Sequence, residues 1–234
     1  VRRFPRVWIG ALDRAADLVC PRACFRCRQP RSDDDALCPA CLGAIAAPDL
    51  PRLPGLDAAA AGGAYAGEVE AWVLAFKIGR GLALPDPGPE AMLGALLARA
   101  AGGVPGPPPD LVVPVPLHPR RLRRRGFNPA GVLARRLARH AGADFDPVAL
   151  ARTRDTPPQK GLDARARRRN VAGAFASRRG RPVPARVWLV DDVVTTGATL
   201  ASAARALRAG GAQTVVGLCA AATPRIADGP RPVA

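Results

Sequence analysis

The run from Val187 to Thr199, VWLVDDVVTTGAT, holds the residues best suited to chemistry. An apolar stretch delivers two adjacent carboxylates, Asp191 and Asp192, and a small hydroxyl-rich turn follows, Thr195-Thr196-Gly197-Ala198-Thr199. An Ala/Leu/Arg pattern, LASAARALRAGG, then reads as a helix. Backbone N–H groups of such a turn can surround a phosphate, and the helix N-terminus adds a favourable dipole. Gly197 lets the chain approach the anion closely, and the threonine hydroxyls add donors. The two carboxylates suit the vicinal hydroxyls of a ribose, directly or through Mg²⁺. This is the chemistry of a sugar-phosphate site. The rival phosphate cradle, a Walker loop, needs Gly-Lys-Ser/Thr, and no such run exists. Adjacent aspartates at a strand end have no packing use and cost desolvation, which argues against a purely structural turn.

A second set of reactive groups lies near the N-terminus. Five of the six cysteines fall between Cys20 and Cys41. Cys24-Phe25-Arg26-Cys27 and Cys38-Pro39-Ala40-Cys41 form two CxxC pairs with ten residues between them. Two such knuckles bring four thiolates to tetrahedral distance, which suits structural Zn²⁺. Disulfides are the alternative and need an oxidising compartment. A thioredoxin-type pair fits less well, because two pairs occur together with no thioredoxin-like strand before them. Cys20 is close enough to replace a ligand and reads as a spare. Cys219, inside TVVGLCAAA, reads as a small buried hydrophobe.

Arginine supplies a third set. Arg120, Arg121, Arg123, Arg124 and Arg125 precede Gly126-Phe127-Asn128 and a helix start, a setting that suits a diphosphate or a nucleic-acid backbone. Residues 156–175 add Gln159, Lys160, Arg165, Arg167, Arg168, Arg169 and Asn170. Arg120, Arg121, Arg123, Arg124, Arg165, Arg167 and Arg168 read as a groove for single-stranded nucleic acid. With Phe127 and Phe175 the only aromatic candidates nearby, such binding is expected to be mainly electrostatic. The chain of 234 residues carries a formal charge of +16, with Lys77 and Lys160 its only lysines, and this favours anionic partners. No run of about twenty uncharged apolar residues exists, so no membrane insertion is expected. Arg6, Asp13, Arg14 and Asp17 interrupt any signal-peptide core, which points to a cytoplasmic location.

The elements that must position these groups read as follows. Phe4, Trp8, Leu12 and Val19 sit near helical spacing and predict a short amphipathic helix. Residues 48–63 are rich in Pro, Ala and Gly and read as a linker. Residues 65–77 predict a helix with Val69, Trp72, Val73 and Phe76 on one face, and EAMLGALLARA predicts another. From Asp110 strands alternate with helices: LVVPVP, a helix over 129–141, a short strand in DPVAL, the central strand VWLVD, a helix over 199–209 and the strand TVVGLCAA. Residues 152–173 are charged and aperiodic and read as a long loop. The division is therefore an amphipathic helix and zinc-binding module over 1–50, a linker and helical segment over 51–109, and a domain over 110–234. The fold class is α/β with a mostly parallel sheet flanked by helices. Its ligand site belongs at the carboxyl ends of the strands.

Taken together, the motifs carry a resemblance. The acidic pair with TTGAT resembles the phosphoribosyl pyrophosphate (PRPP) motif of type I phosphoribosyltransferases. Two CxxC knuckles, VPVP…RRRGFN, TPPQKGL…RRRNVAGAF and LVDDVVTTGAT follow the order of the ComF family, which includes competence proteins and gluconate-utilisation relatives. The chain departs from the family's usual pattern at Pro129, where Gln is common, and at Ala166, where an acidic residue is common. The resemblance implies a phosphoribosyltransferase-like domain with a small zinc-ribbon-like module before it. It implies that Asp191 and Asp192 serve as the catalytic pair. PRPP would bind at Thr195, Thr196, Gly197, Ala198 and Thr199 with Mg²⁺, Arg125 and a closing Lys160. It also implies a role in DNA uptake beside the competence machinery. Glycosyl transfer from PRPP, as in nucleotide salvage, is the alternative, and the sequence names no acceptor base.

Overall fold

The computed structural model describes residues 23–31, 35–79, 88–156, 164–178, 180 and 182–224. The expected N-terminal helix, Cys20 and Lys160 lie outside them, as do the side chains of Arg165, Arg167 and Arg168. The chain divides into two compact units, Val1–Ala44 and Ile45–Ala234. In the first, the turn after Cys24 closes with an Arg28 N–H bond to the Cys24 carbonyl at 2.8 Å and a bridge between Ala23 and Pro30. A single helical turn, α1 (Pro39–Gly43), follows with Cys38 as its N-cap and proline in its first turn, the place where a missing N–H does no harm.

The second unit is a five-stranded sheet in which every pairing is parallel. Its strands are β1 (Ala58–Ala64), β2 (Leu111–Pro114), β3 (Asp144–Phe145), β6 (Arg186–Val194) and β7 (Thr214–Ala222), in the order β1-β7-β6-β2-β3. The strand carrying the acidic pair is thus central. The helices are α2 (Gly67–Gly79), α3 (Gly88–Gly102), α4 (Pro119–Arg125), α5 (Pro129–Ala141), α6 (Ala164–Val171) and α7 (Ala198–Ala209). Helix α3 packs on β1 and β7, and α5 on β2 and β6. Helix α7 packs on β6 and β7 together with α6 and a two-stranded antiparallel pair, β4 (Leu150–Arg152) and β5 (Phe175–Ser177). The core beside α7 is built from Val187, Leu189, Leu200, Leu207 and Val215, all nearly or fully buried. Asn128 and Pro129 open α5, so the proline that departs from the family pattern occupies a first-turn position that favours it.

Three expectations are corrected. The stretch read as a linker supplies β1, paired residue by residue with β7 from Ala58↔Val216 to Ala64↔Ala222. Its Ala/Gly composition has low strand propensity, but it lets a helix come close. A Cβ on Gly62 would lie 1.8 Å from the Leu96 carbonyl oxygen of α3. The stretch 152–173 is not all loop, because α6 lies within it. The short strand expected in DPVAL falls instead on Asp144–Phe145 and Leu150–Arg152, either side of the Asp146-Pro147 turn.

Candidate functional site

Side chains alternate across a strand. Asp191 pairs in register with Cys219, and Cys219 belongs to the core beside α7, so Asp191 faces that layer. Asp192 therefore faces the layer of α3 and α5. The adjacent carboxylates straddle the sheet at the carboxyl end of its central strand. Chain leaving β2 runs through α4 and α5 to β3, on one side of β6, while chain leaving β6 runs through α7 to β7 on the other. The crevice at such a reversal is where open α/β sheets bind ligands. A cleft of about 450 Å³ lies there.

The cleft is lined by Val115 to Leu117 after β2, Arg121 and Arg125 of α4, Asn128, Arg152 of β4, Lys77 of α2, Tyr65, and the run Asp191 to Leu200. Gly197 has φ +74° and opens α7, and a Cβ there would meet Leu53 Cδ2 at 2.3 Å, so glycine is required twice over. The first N–H groups of α7 have no acceptor inside the helix and present a donor surface beside the threonines. Asn128 donates to the Val115 carbonyl at 3.0 Å, which fixes the β2 exit against the start of α5.

Each aspartate accepts a hydrogen bond from the next backbone N–H, Asp192 N to Asp191 Oδ1 and Val193 N to Asp192 Oδ1, both at 2.9 Å. Lys77 Nζ lies 2.7 Å from Asp192 Oδ2. Burial, then the neighbouring Asp192 charge, pushes Asp191 well above the ordinary carboxylate range. Burial also pushes Asp192 up, but the Lys77 ammonium outweighs it and holds Asp192 below that range. Two carboxylates this close do not readily share two charges.

The arginine cluster divides. Arg121 and Arg125, four residues apart on one side of α4, line the cleft. Arg120, Arg123 and Arg124 are exposed and do not line it. Arg121 was read with the nucleic-acid set and lies in the cleft with the sugar-phosphate set. Lys77 and Arg152 were missed. Lys77 ends the helix whose apolar face was read correctly, and as one of only two lysines it offered a signal. Arg152 offered none beyond its place in an alternating Leu-Ala-Arg stretch.

In the N-terminal unit the Sγ atoms of Cys24, Cys27, Cys38 and Cys41 all lie within 4.8 Å of one another. Cys27 and Cys38 Sγ are 3.8 Å apart, too far for a disulfide, and all five described cysteines are free. The Cys38 and Cys41 N–H groups point at Cys24 and Cys38 Sγ, at 3.3 and 3.4 Å. Burial pushes the Cys24 thiol up, but the N–H groups of Cys27, Cys38 and Arg26 outweigh it and bring it down to about 6. Burial and then the thiols of Cys38, Cys27 and Cys24 push Cys41 up to about 12. The Cys41 N–H lowers Cys38 as well, so the cluster eases ionisation at Cys24 and Cys38 and resists it at Cys41. Four such sulfurs can hold a metal ion such as zinc.

Residues 122–231 match the phosphoribosyl transferase domain family. The chain carries a phosphoribosyl transferase domain. It is 46% identical over 112 residues to the DNA utilization protein YhgH of Escherichia coli O157:H7, covering 47% of this chain and 48% of that protein. Against the protein of the same name in Salmonella typhi it is 44% identical over 125 residues, 53% of each. Against competence protein F of Haemophilus influenzae it is 40% identical over 103 residues, 43% of this chain and 44% of that protein. The matches span about half the length of these relatives. The resemblance to the ComF family is borne out by these relatives and by the cysteine cluster. Among the described residues, no helix is long and apolar enough to cross a membrane.

Replacing Lys77 tests the electrostatics of the acidic pair. In Lys77→Met the Asp192 pKa should rise, read by carboxyl-carbon NMR titration. Asp192 in the wild type has a depressed folded-state pKa, so the Lys77 contribution is present above the ordinary carboxylate range and lost as pH falls through that folded value. The variant should be less stable at neutral pH by about 1–3 kcal/mol, less than a fully buried broken pair because the carboxyl can take up a proton. The difference should shrink on acidification, and a pH-independent gap would assign the loss to packing instead.

Proposed function

We propose that this protein binds PRPP, or a closely related ribose phosphate, in the cleft at the end of β6, and binds single-stranded DNA on its exposed arginines. One observation carries the reading: an acidic pair and a helix-opening hydroxyl loop share one cleft with arginines. The 5′-phosphate would lie on Thr195 to Thr199, within reach of the α7 N–H groups. Asp191 and Asp192 would accept from the ribose hydroxyls. Their oxygens are hard donors of the kind Mg²⁺ takes, and Lys77 already meets a cation's requirement at Asp192. Mg²⁺, when bound, would neutralise diphosphate charge. Arg121 and Arg125 would hold anionic oxygen, and Lys160, on the 156–175 segment, would close over the ligand.

The competence and DNA-utilization names belong to the relatives, and they support a role for this protein in handling DNA. The exposed Arg120, Arg123 and Arg124 suit a phosphate backbone, and Arg165, Arg167 and Arg168, whose side chains lie outside the described residues, belong to the same proposed set. Binding would be electrostatic and tolerant of sequence. A cytoplasmic site of action follows from this reading. The second reading is glycosyl transfer from PRPP to an acceptor base. It is favoured by the intact acidic pair and loop, since a protein that only bound DNA would not need them. The four clustered cysteines would hold one structural Zn²⁺, coupling metal to folding of the N-terminal module.

Four measurements check these statements. Calorimetric titration with PRPP should give Mg²⁺-dependent binding, weakened by roughly 2–4 kcal/mol in Asp191→Asn/Asp192→Asn through loss of two charged hydrogen-bonding groups. Wild-type affinity in that double variant would put the ligand elsewhere, and diphosphate release with a panel of bases would establish transfer. Metal analysis of protein prepared without chelator should return close to one zinc per chain, falling in Cys24→Ser and unchanged in Cys219→Ser. Affinity for a single-stranded oligonucleotide should fall with salt, with a log–log slope of about 0.7 per phosphate neutralised. Arg123→Glu/Arg124→Glu should flatten that slope more than Arg135→Glu/Arg139→Glu on α5; equal slopes would assign the charge to solvated surface.

A further inference from the structure

Lys77 lies in the last turn of α2, and the packing of that helix fixes where its ammonium can reach. Val73 and Phe76, on the inner face, are 0% and 4% exposed, and the Phe76 ring meets Phe127 edge-on with centroids 5.7 Å apart. Phe127 precedes Asn128, the N-cap of α5, so the end of α2 is packed against the entry to α5. Lys77 extends from there to Asp192, with Nζ 2.7 Å from Oδ2. The two side chains are 26% and 14% exposed, so the pair is shielded from water without being sealed off. Oδ1 of Asp192 already accepts from the Val193 N–H. Among the described residues Oδ2 makes no directed hydrogen bond. Its contact with Lys77 is one of charge, and its lone pairs stay open to a hydroxyl.

Two facts weigh against a divalent cation resting on this pair alone. Mg²⁺ takes about six oxygen ligands and usually finds them on one or two carboxylates, water and the phosphates of its ligand. Among the described residues no third carboxylate, histidine or cysteine joins Asp191 and Asp192 within metal-binding distance. The cleft is also cationic: Lys77, Arg121, Arg125 and Arg152 line it with the two aspartates, an excess of at least two positive charges. A free dication would meet that excess with the Lys77 ammonium already in contact with Asp192. A sugar monophosphate meets the opposite. Its phosphate carries about two negative charges at neutral pH and balances the cleft as it stands. We propose that Lys77 is a built-in cation that takes the place of a divalent metal at the acidic pair, so that a ribose monophosphate binds here without one. Lys77 thus decides which ligands need metal. Any further phosphate groups exceed the charge of the cleft, and a divalent cation balancing them arrives on the ligand. The inference deepens the sugar-phosphate reading and rests on it for the identity of the ligand; the exclusion of free metal by Lys77 does not.

The test uses the full chain in buffer stripped of divalent cations by a chelating resin, so that no soluble chelator reaches the cysteine cluster. Calorimetric titration with ribose 5-phosphate should give the wild type the same affinity with and without added Mg²⁺. Lys77→Met should bind about 10-fold more weakly without Mg²⁺, as expected for one lost charged group, and recover when Mg²⁺ is added. A wild type that binds only with Mg²⁺ overturns the proposal. So does a variant that matches the wild type in both buffers, or one whose loss is the same in both, because a lysine that only supports the fold would act that way. If Lys77→Met fails to fold, Lys77→Gln, which keeps a donor but no charge, carries the same comparison. If ribose 5-phosphate binds the wild type in neither buffer, the sugar-phosphate reading fails, and Mn²⁺ alone decides the role of Lys77. Broadening of the Asp191 and Asp192 carboxyl-carbon NMR signals by Mn²⁺ should be absent in the wild type and present in the Lys77 variant. Broadening in both proteins, or in neither, overturns the proposal.

Discussion

The register of β6 governs the site. Because a strand turns successive side chains to opposite faces, two adjacent aspartates at its end cannot share one environment. Asp191 is turned toward the layer holding α7 and the β4–β5 pair, and Asp192 toward the layer of α3 and α5. Each layer answers with its own cation. Lys77 from α2 reaches Asp192 directly at 2.7 Å, while the Arg152 charge is felt by Asp191 without contact. A slip of one residue would exchange the two faces and leave both carboxylates facing the wrong partners. The pairing of β6 with β7 over eight residues and with β2 over four holds the register.

Small residues let the layers come close enough for this. Strand β1 is Ala58-Ala59-Ala60-Ala61-Gly62-Gly63-Ala64, and at Gly62 no side chain separates it from the α3 backbone. Gly197 plays the same part in the turn from Thr195 to Thr199, where Leu53 fills the space a Cβ would need. The composition that makes the chain look low in structure is therefore what allows its close packing. Close packing in turn keeps the cleft walls from shifting, since a dense interior resists small displacements.

Where local pattern and tertiary role agree, the sequence is legible. The apolar run of β6, the hydroxyl turn and the Ala/Leu helix after it each carry a signal the fold uses unchanged, and so do α5 and the CxxC pairs. Strand β1 was hidden because alanine and glycine carry no strand preference; its pairing partner lies more than 150 residues away, Ala58 with Val216. Helix α6 was hidden because its run of arginines has no apolar period, although Val171 is buried beneath it. Lys77 and Arg152 escaped notice for a different reason. Neither sits in a motif, and only the crossing of layers over β6 brings them to the cleft.

The charge of the chain has to be read through this geometry. A total of +16 says only that anions are attracted. Within α4 the helical period sorts five arginines into two roles: Arg121 and Arg125 toward the cleft, Arg120, Arg123 and Arg124 toward solvent. Solvated arginines cost little and can steer a polyanion from a distance, with an effect that salt removes. At the cleft, Thr156 accepts from both Arg121 and Arg152, and Arg152 also lies over Phe175. Asp155 touches the exposed side at Arg120, and the next residue, Thr156, touches the cleft side at Arg121. The two surfaces are thus joined by two consecutive residues of one loop.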